Sequence, residues 1–98
     1  MPIFVSLVTL TSQGVEELTK TVDRAQDYWK KIEEAGGVVR EHLWVMGDTY
    51  DAVVIFETPD AETAHRLSLQ VASLGNTHVV TMRAFDAGSM REIVKLLT

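Results

Sequence analysis

His42 and Trp44 stand two residues apart in a run that reads as a strand, so they share one face of it. Histidine is the usual acid–base group near neutral pH, and an indole beside it could wall a pocket for an aromatic compound. The plainer reading is a packed, half-buried pair, and that is the commoner fate of a His next to a Trp on a strand. Tyr50-Asp51 follows at the turn of the same hairpin. Functionally, the phenol would sit at the mouth of a cleft, with Asp51 orienting it or a ligand's cationic group. Mechanically, Asp51 would accept backbone N–H groups of the turn at Gly47 while Tyr50 packs its ring on the end of the fold. The mechanical reading carries more weight, because turns recruit Asp for that purpose.

Ser6, Thr81 and Arg83 are polar interruptions of otherwise apolar strands. The reading takes the first and fourth strands as non-neighbours, so joint action of Ser6 with Thr81 and Arg83 would need reach across the sheet. A guanidinium among apolar side chains needs a carboxylate. Glu41 or Glu57 is the expected partner of Arg83, across the dimer interface or within the chain, and an anionic ligand is the functional alternative. His65 falls on a helix toward solvent and His78 at a strand entrance. With His42 they are scattered, and none shows the His pair or His/carboxylate spacing of a metal site. No metal or cofactor is expected. Pro2, exposed if Met1 were removed, could serve as a base as in tautomerases, but the rest of the chain does not follow those much shorter proteins.

Ninety-eight residues make a single domain, 1–98, with 46% hydrophobic and 23% charged residues. Cysteine is absent, which excludes disulfides, thiolate metal sites and a thiol nucleophile. A net charge of −5 suits a phosphate backbone poorly, so nucleic acid is not an expected partner. No apolar run approaches the roughly 20 residues of a membrane span, and the start shows no export signal. A cytoplasmic protein is expected.

These residues must be positioned by elements the pattern outlines. Ile3 to Leu10 is β-branched and aromatic, too continuously apolar for a strand with one wet face. Thr11 or Ser12 caps a short helix that Gly14 weakens. Thr21 opens a better one, with Val22, Ala25, Trp29 and Ile32 as its buried stripe, and Gly36-Gly37 ends it. Val38 to Met46 and Tyr50 to Glu57 form a hairpin. A four-residue loop would set Arg40 opposite Glu57 as an ion pair, and a three-residue loop would set it opposite Phe56; the first is slightly preferred. Asp60 caps a helix that buries Ala64, Leu67, Val71 and Leu74 and stops at Gly75. Thr77 to Phe85 is the fourth strand. Asp86 or Ser89 caps a last helix with an apolar face of Met90, Ile93, Val94 and Leu97. The order β-α-β-β-α-β, plus a C-terminal helix, predicts an α+β, ferredoxin-like antiparallel sheet with both main helices on one face.

The face without helices should then be polar in a monomer, yet both parities of the first, third and fourth strands are largely apolar. Exposing such side chains costs roughly 1.5–3 kcal/mol each relative to burying them. A homodimer packed sheet to sheet is the simplest expectation.

Ile3-Phe4-Val5-Ser6-Leu7, Gly36-Gly37-Val38-Val39, Gly47-Asp48-Thr49-Tyr50-Asp51, Glu57-Thr58-Pro59-Asp60 and Thr81-Met82-Arg83-Ala84-Phe85 together resemble the GYD-domain family. Its members are small bacterial and archaeal proteins with a glycine-tyrosine-aspartate signature at this hairpin. The resemblance covers nearly the whole chain and implies the dimeric α/β-barrel form of the ferredoxin-like fold. It departs at one point: the family usually has a single residue between glycine and tyrosine, whereas Asp48 and Thr49 both intervene here. The leading expectation is a homodimeric ligand-binding or interaction module. A small organic or anionic molecule would sit between sheet and helices near His42, Trp44, Tyr50 and Asp51, with Arg83 as a further ligand-binding candidate. The alternative is a cofactor-independent oxygenase or isomerase acting on a small aromatic or enol-like compound, with His42 as its catalytic group. A purely structural assembly subunit is a third reading.

Overall fold

Strand β1 (Ile3–Leu10) runs through the middle of a four-stranded sheet, paired on both edges. The computed structural model describes residues 1–97. After β1 come α1 (Ser12–Glu16), a 3-10 turn (Leu18–Lys20), α2 (Thr21–Glu34), β2 (Val38–Trp44), β3 (Ala52–Glu57), α3 (Ala61–Ser73), β4 (Thr77–Ala84) and α4 (Ala87–Lys95). The sheet order is β2-β3-β1-β4, with every neighbouring pair antiparallel. This is the α+β, ferredoxin-like sheet expected from the element order. The first helical stretch is split into α1 and α2, as expected.

Alternate residues of β1 and β3 turn toward the helices. Phe4, Ser6, Ala52, Val54 and Phe56 are buried there, and Phe4, Val54 and Phe56 pack with Tyr28 and Ile32 of α2 and Ala64 and Leu67 of α3. Phe4 and Phe56 are cross-strand partners with ring centroids 5.7 Å apart, and Tyr28 meets Phe56 edge-on at 6.5 Å.

The buried stripe of α2 is therefore Ala25, Tyr28 and Ile32. Spacings of three then four and of four then three both keep one helix face, so the pattern alone could not choose Tyr28 over Trp29. The Phe56 ring decides it. Trp29 sits half-buried at the flank, and Val22 is exposed. In α3, Ala64 and Leu67 are buried as expected, whereas Leu74 lies at the C-cap and is exposed.

Caps fix the helix starts. Thr11 accepts from Gly14 N–H, Asp60 from Thr63 N–H and Asp86 from Ser89 N–H. Lys20, which lacks a side-chain cap bond, precedes α2, so Thr21 is its first residue and not its cap. Gly36 has φ +87°, the left-handed turn that ends α2. Gly14 is required for a different reason: a Cβ there would lie 2.2 Å from the Asn76 carbonyl oxygen.

The β2–β3 hairpin corrects the preferred register. Trp44 faces Ala52, His42 faces Val54 and Glu41 faces Ile55, the pairing a three-residue loop would set. A bulge between Val39 and Glu41 then shifts the ladder, so Val39 faces Phe56 and Val38 faces Glu57. Arg40 is the extra residue, and its Nε still reaches Glu57 Oε2 at 3.1 Å. The expected ion pair is present through a bulge. The strands also stop short of the expected Met46 and Tyr50 ends.

The opposite face of the sheet carries Val38 and Leu43 of β2, Val5 and Leu7 of β1, Val53 and Ile55 of β3, and Val80 and Met82 of β4. Val38, Leu43, Val80 and Met82 are 44–55% exposed, so nothing in the described chain covers this face. Helix α4 has no buried residue, and its Met90, Ile93, Val94 and the following Leu97 are exposed. The radius of gyration is 14.6 Å, against about 12.6 Å for a compact domain of this length.

Candidate functional site

Register brings the polar residues of the sheet into rows. His42, Val54, Ser6 and Thr81 lie side by side across β2, β3, β1 and β4 on the helix-facing side. The expectation that Ser6 and Thr81 sit on non-neighbouring strands is overturned: β1 pairs directly with β4, and their hydroxyls are 2.8 Å apart. Ser68 of α3 joins them, its Oγ 2.9 Å from Thr81 Oγ1. Three hydroxyls thus satisfy one another beneath the helices.

The next row, Trp44, Ala52, Val8 and Val79, opens into a cavity of about 510 Å³ between the sheet and the helices. Its floor is Ser6, Val8, Val54 and Val79, its roof is Arg24, Ala25 and Tyr28 of α2 with Val71 of α3, and His42 and Trp44 form one side. Asp51 and Asn76-Thr77 lie at the end. Apolar walls with a few polar groups are the ordinary composition of a small-molecule site. A second depression runs along α3 alone, over Ala61, His65 and Leu69, and is open to solvent.

His42 is held by two indoles. Its ring stacks on Trp44 with centroids 4.4 Å apart and meets Trp29 edge-on at 5.5 Å. Trp29 Nε1–H donates to His42 Nδ1 at 2.8 Å. An accepting Nδ1 carries no proton, so the neutral ring carries its proton at Nε2 and is a donor there. Burial lowers the His42 pKa below its ordinary 6.5. The Trp29 contact acts in the same direction, because the cation would turn an N–H toward the indole N–H.

Asp51 lines the cavity but is engaged with backbone. Its Oδ2 accepts from Leu10 N–H at 2.7 Å, its own N–H donates to Val8 O at 2.8 Å, and its carbonyl accepts from Val45 N–H at 2.9 Å. It ties the hairpin to the end of β1. Tyr50 is half-buried and does not line the cavity.

Arg83 is not brought to this site. It lies opposite Phe4, in the row beyond Ser6 and away from the cavity, with its guanidinium over Phe85 at 4.5 Å and Phe4 at 5.9 Å. Within the chain Arg83 pairs with neither Glu41 nor Glu57: Glu57 is taken by Arg40, and Arg83 Nη1 donates to Ala84 O. His65 is exposed on α3, as expected, and His78 is exposed on β4.

Sequence reasoning missed the contribution of α2. Arg24, Tyr28 and Lys31 recur at helical spacing and all line the cavity. That stripe runs beside the apolar one, where charged residues of a helix read first as its solvent face. Among the described residues, no group of three or more His, Cys, Asp or Glu side chains could hold a metal ion, and no helix is long and apolar enough to cross a membrane.

Comparison with known proteins agrees with this architecture. A Thermus thermophilus relative is 32% identical over 90 residues, covering 92% of this chain and 95% of its own, and is named a glutamine synthetase and cystathionine beta-lyase binding protein. A crystal structure of a Thermus thermophilus protein is 25% identical, with a TM-score of 0.56 over 89% of this chain and 96% of its own. The 5-chloro-2-hydroxyhydroquinone dehydrochlorinase of Burkholderia phenoliruptrix AC1100, solved with 2,5-dihydroxybenzoquinone, shares the fold at 9% identity, with a TM-score of 0.61 over 90% of this chain and 97% of its own. The GYD domain pattern matches residues 4–94, and the chain belongs to the GYD domain family.

Proposed function

We propose that the protein is a homodimeric, cytoplasmic small-molecule-binding module whose ligand occupies the cavity between the sheet and helices α2 and α3. The observation that carries this reading is the cavity itself: about 510 Å³, largely apolar, with His42 and Trp44 stacked on one side. The volume lies in the range of small-ligand pockets. His42 contributes a fixed Nε2–H donor and Trp44 a flat apolar wall. Tyr50 and Arg83 drop out of the binding set on their positions, and Asp51 acts chiefly by holding the hairpin.

The dimer part rests on the uncovered sheet face and on α4. Val38, Leu43, Val80 and Met82 form an apolar surface that a second copy, related by a two-fold axis, would cover.

The oxygenase or isomerase alternative needs His42 to accept a proton from the substrate. With Nδ1 occupied by Trp29 N–H and the proton on Nε2, the neutral ring offers the cavity a donor and no lone pair. The geometry favours binding over base catalysis. An interaction role has its own support in the name of the Thermus thermophilus relative and in the exposed apolar stripe of α4. In that reading the cavity would be incidental.

Tryptophan fluorescence separates the two. The chain has two tryptophans, and both contact His42. Small planar aromatics are expected to quench them saturably in the wild type. Val79→Phe, which fills the cavity from β4, is expected to abolish that response. Equal quenching in both proteins would contradict the cavity reading.

A further inference from the structure

Three polar atoms buried from water make no hydrogen bond: Arg24 Nη1, Tyr28 OH and Thr77 Oγ1. Buried polar groups are nearly always satisfied, so each exception asks for a partner outside the chain. All three belong to residues lining the same cavity. Tyr28 is only 8% exposed, and burial pushes its phenol up to about 12, with neighbouring Ser68 offsetting this in part. The Ser68 hydroxyl spends its one proton on Ala64 O and so cannot donate to the phenol oxygen, and the Tyr28 OH makes no hydrogen bond in the structure.

Arg24 sets the sign. Its Nη2 donates to Gly14 O at 3.1 Å, and among the described residues it forms no ion pair. Gly14 in turn lies against the Asn76 carbonyl, one residue before Thr77, so Arg24 and Thr77 close the same end of the cavity. Lys30, Lys31, Asp27 and Glu34 at its edge cancel in charge, and the Asp51 carboxylate is engaged by Leu10 N–H. Among the charged groups lining the cavity, Arg24 is the cation that keeps a buried, unbonded N–H, and a guanidinium suits a planar carboxylate.

Arg24 and Trp44 both line this cavity, whose volume of about 510 Å³ can hold a single aromatic acid. Resting on the cavity reading above, we propose that the ligand is a small aromatic carboxylate. Its carboxylate is held by Arg24, with the Thr77 hydroxyl as a further partner. Its ring lies toward Trp44, where His42 Nε2–H can meet an acceptor on the far edge.

Calorimetric titration of the full chain with benzoate and with benzyl alcohol, similar in size but uncharged, tests this. Benzoate is expected to bind about tenfold tighter or more, the scale of a charged hydrogen bond. Arg24→Gln is expected to erase that preference, bringing benzoate down to the affinity of benzyl alcohol in the same variant, and Arg24→Lys to recover part of it. If benzoate binds no better than the alcohol in the wild type, or if Arg24→Gln leaves benzoate binding intact, the carboxylate assignment is overturned and the cavity reading stands. If neither compound binds, both fall. Should Arg24→Gln not fold, the wild-type preference and the Arg24→Lys titration decide.

Discussion

His42 shows how closely neighbours can constrain a residue that looks catalytic on paper. Trp29 holds its Nδ1 and Trp44 covers its face, so the ring is kept neutral and oriented. Because burial sets its folded pKa below 6.5, the unfolded chain takes up the proton first. This contribution to stability is fully present above pH 6.5 and is lost as pH falls through 6.5 toward the folded pKa. Trp29→Phe removes the indole N–H and is expected to raise the His42 midpoint toward 6.5 in an NMR titration of its ring protons. An unchanged or lower midpoint would show that Trp29 has no hold on it. At this scale the sequence is half legible. The spacing of His42 and Trp44 alone places them on one strand face. Trp29 escapes notice as their partner, because a tryptophan at helical spacing reads first as core. The surroundings of Arg83, Phe4 across the strand pair and Phe85 beyond it, are set by the β1–β4 pairing, which residue types alone do not reveal.

Among the elements, the link between α1 and the end of α3 is the one the cavity depends on. Gly14 packs against the Asn76 carbonyl, Thr11 Oγ1 donates to Gly75 O at 2.6 Å, and Thr11 N–H donates to Asn76 O at 3.1 Å. A Cβ at position 14 would sit 2.2 Å from that oxygen, too close for either backbone to stay in place. Gly14→Ala, which would favour the helix by propensity alone, is therefore expected to destabilise the protein by about 1–3 kcal/mol. Urea denaturation checks the sign; a stabilised variant would mean that the contact yields easily. The Asp60 cap and the split first helix are readable, since each depends on nearby residues. Tyr28 against Trp29, the hairpin register and the adjacency of Ser6 and Thr81 are not, because each is settled by a contact distant in sequence. The Phe56 ring chooses Tyr28, the bulge at Arg40 sets the register, and the sheet order joins β1 to β4.

For the whole molecule, the uncovered sheet face is the largest departure from a self-sufficient domain. Leu43 and Val80 are more than half exposed at 55% and 52%, and α4 offers a second unburied apolar stripe. Each large side chain left in water there forgoes roughly 1.5–3 kcal/mol. This feature is the most legible of all: two apolar parities on strands that only one layer of helices can cover announce a missing layer without any coordinates. A second copy would supply it, and the cavity on the other side of the same sheet would gain a rigid floor. The measurement that tests this claim most directly is sedimentation equilibrium at micromolar concentration, on the wild type and on Val80→Glu. The wild type is predicted to sediment at twice the 10.9 kDa of one chain, and the variant, with a charge on the bare face, at the mass of one. A wild type that sediments as a single chain would contradict the account.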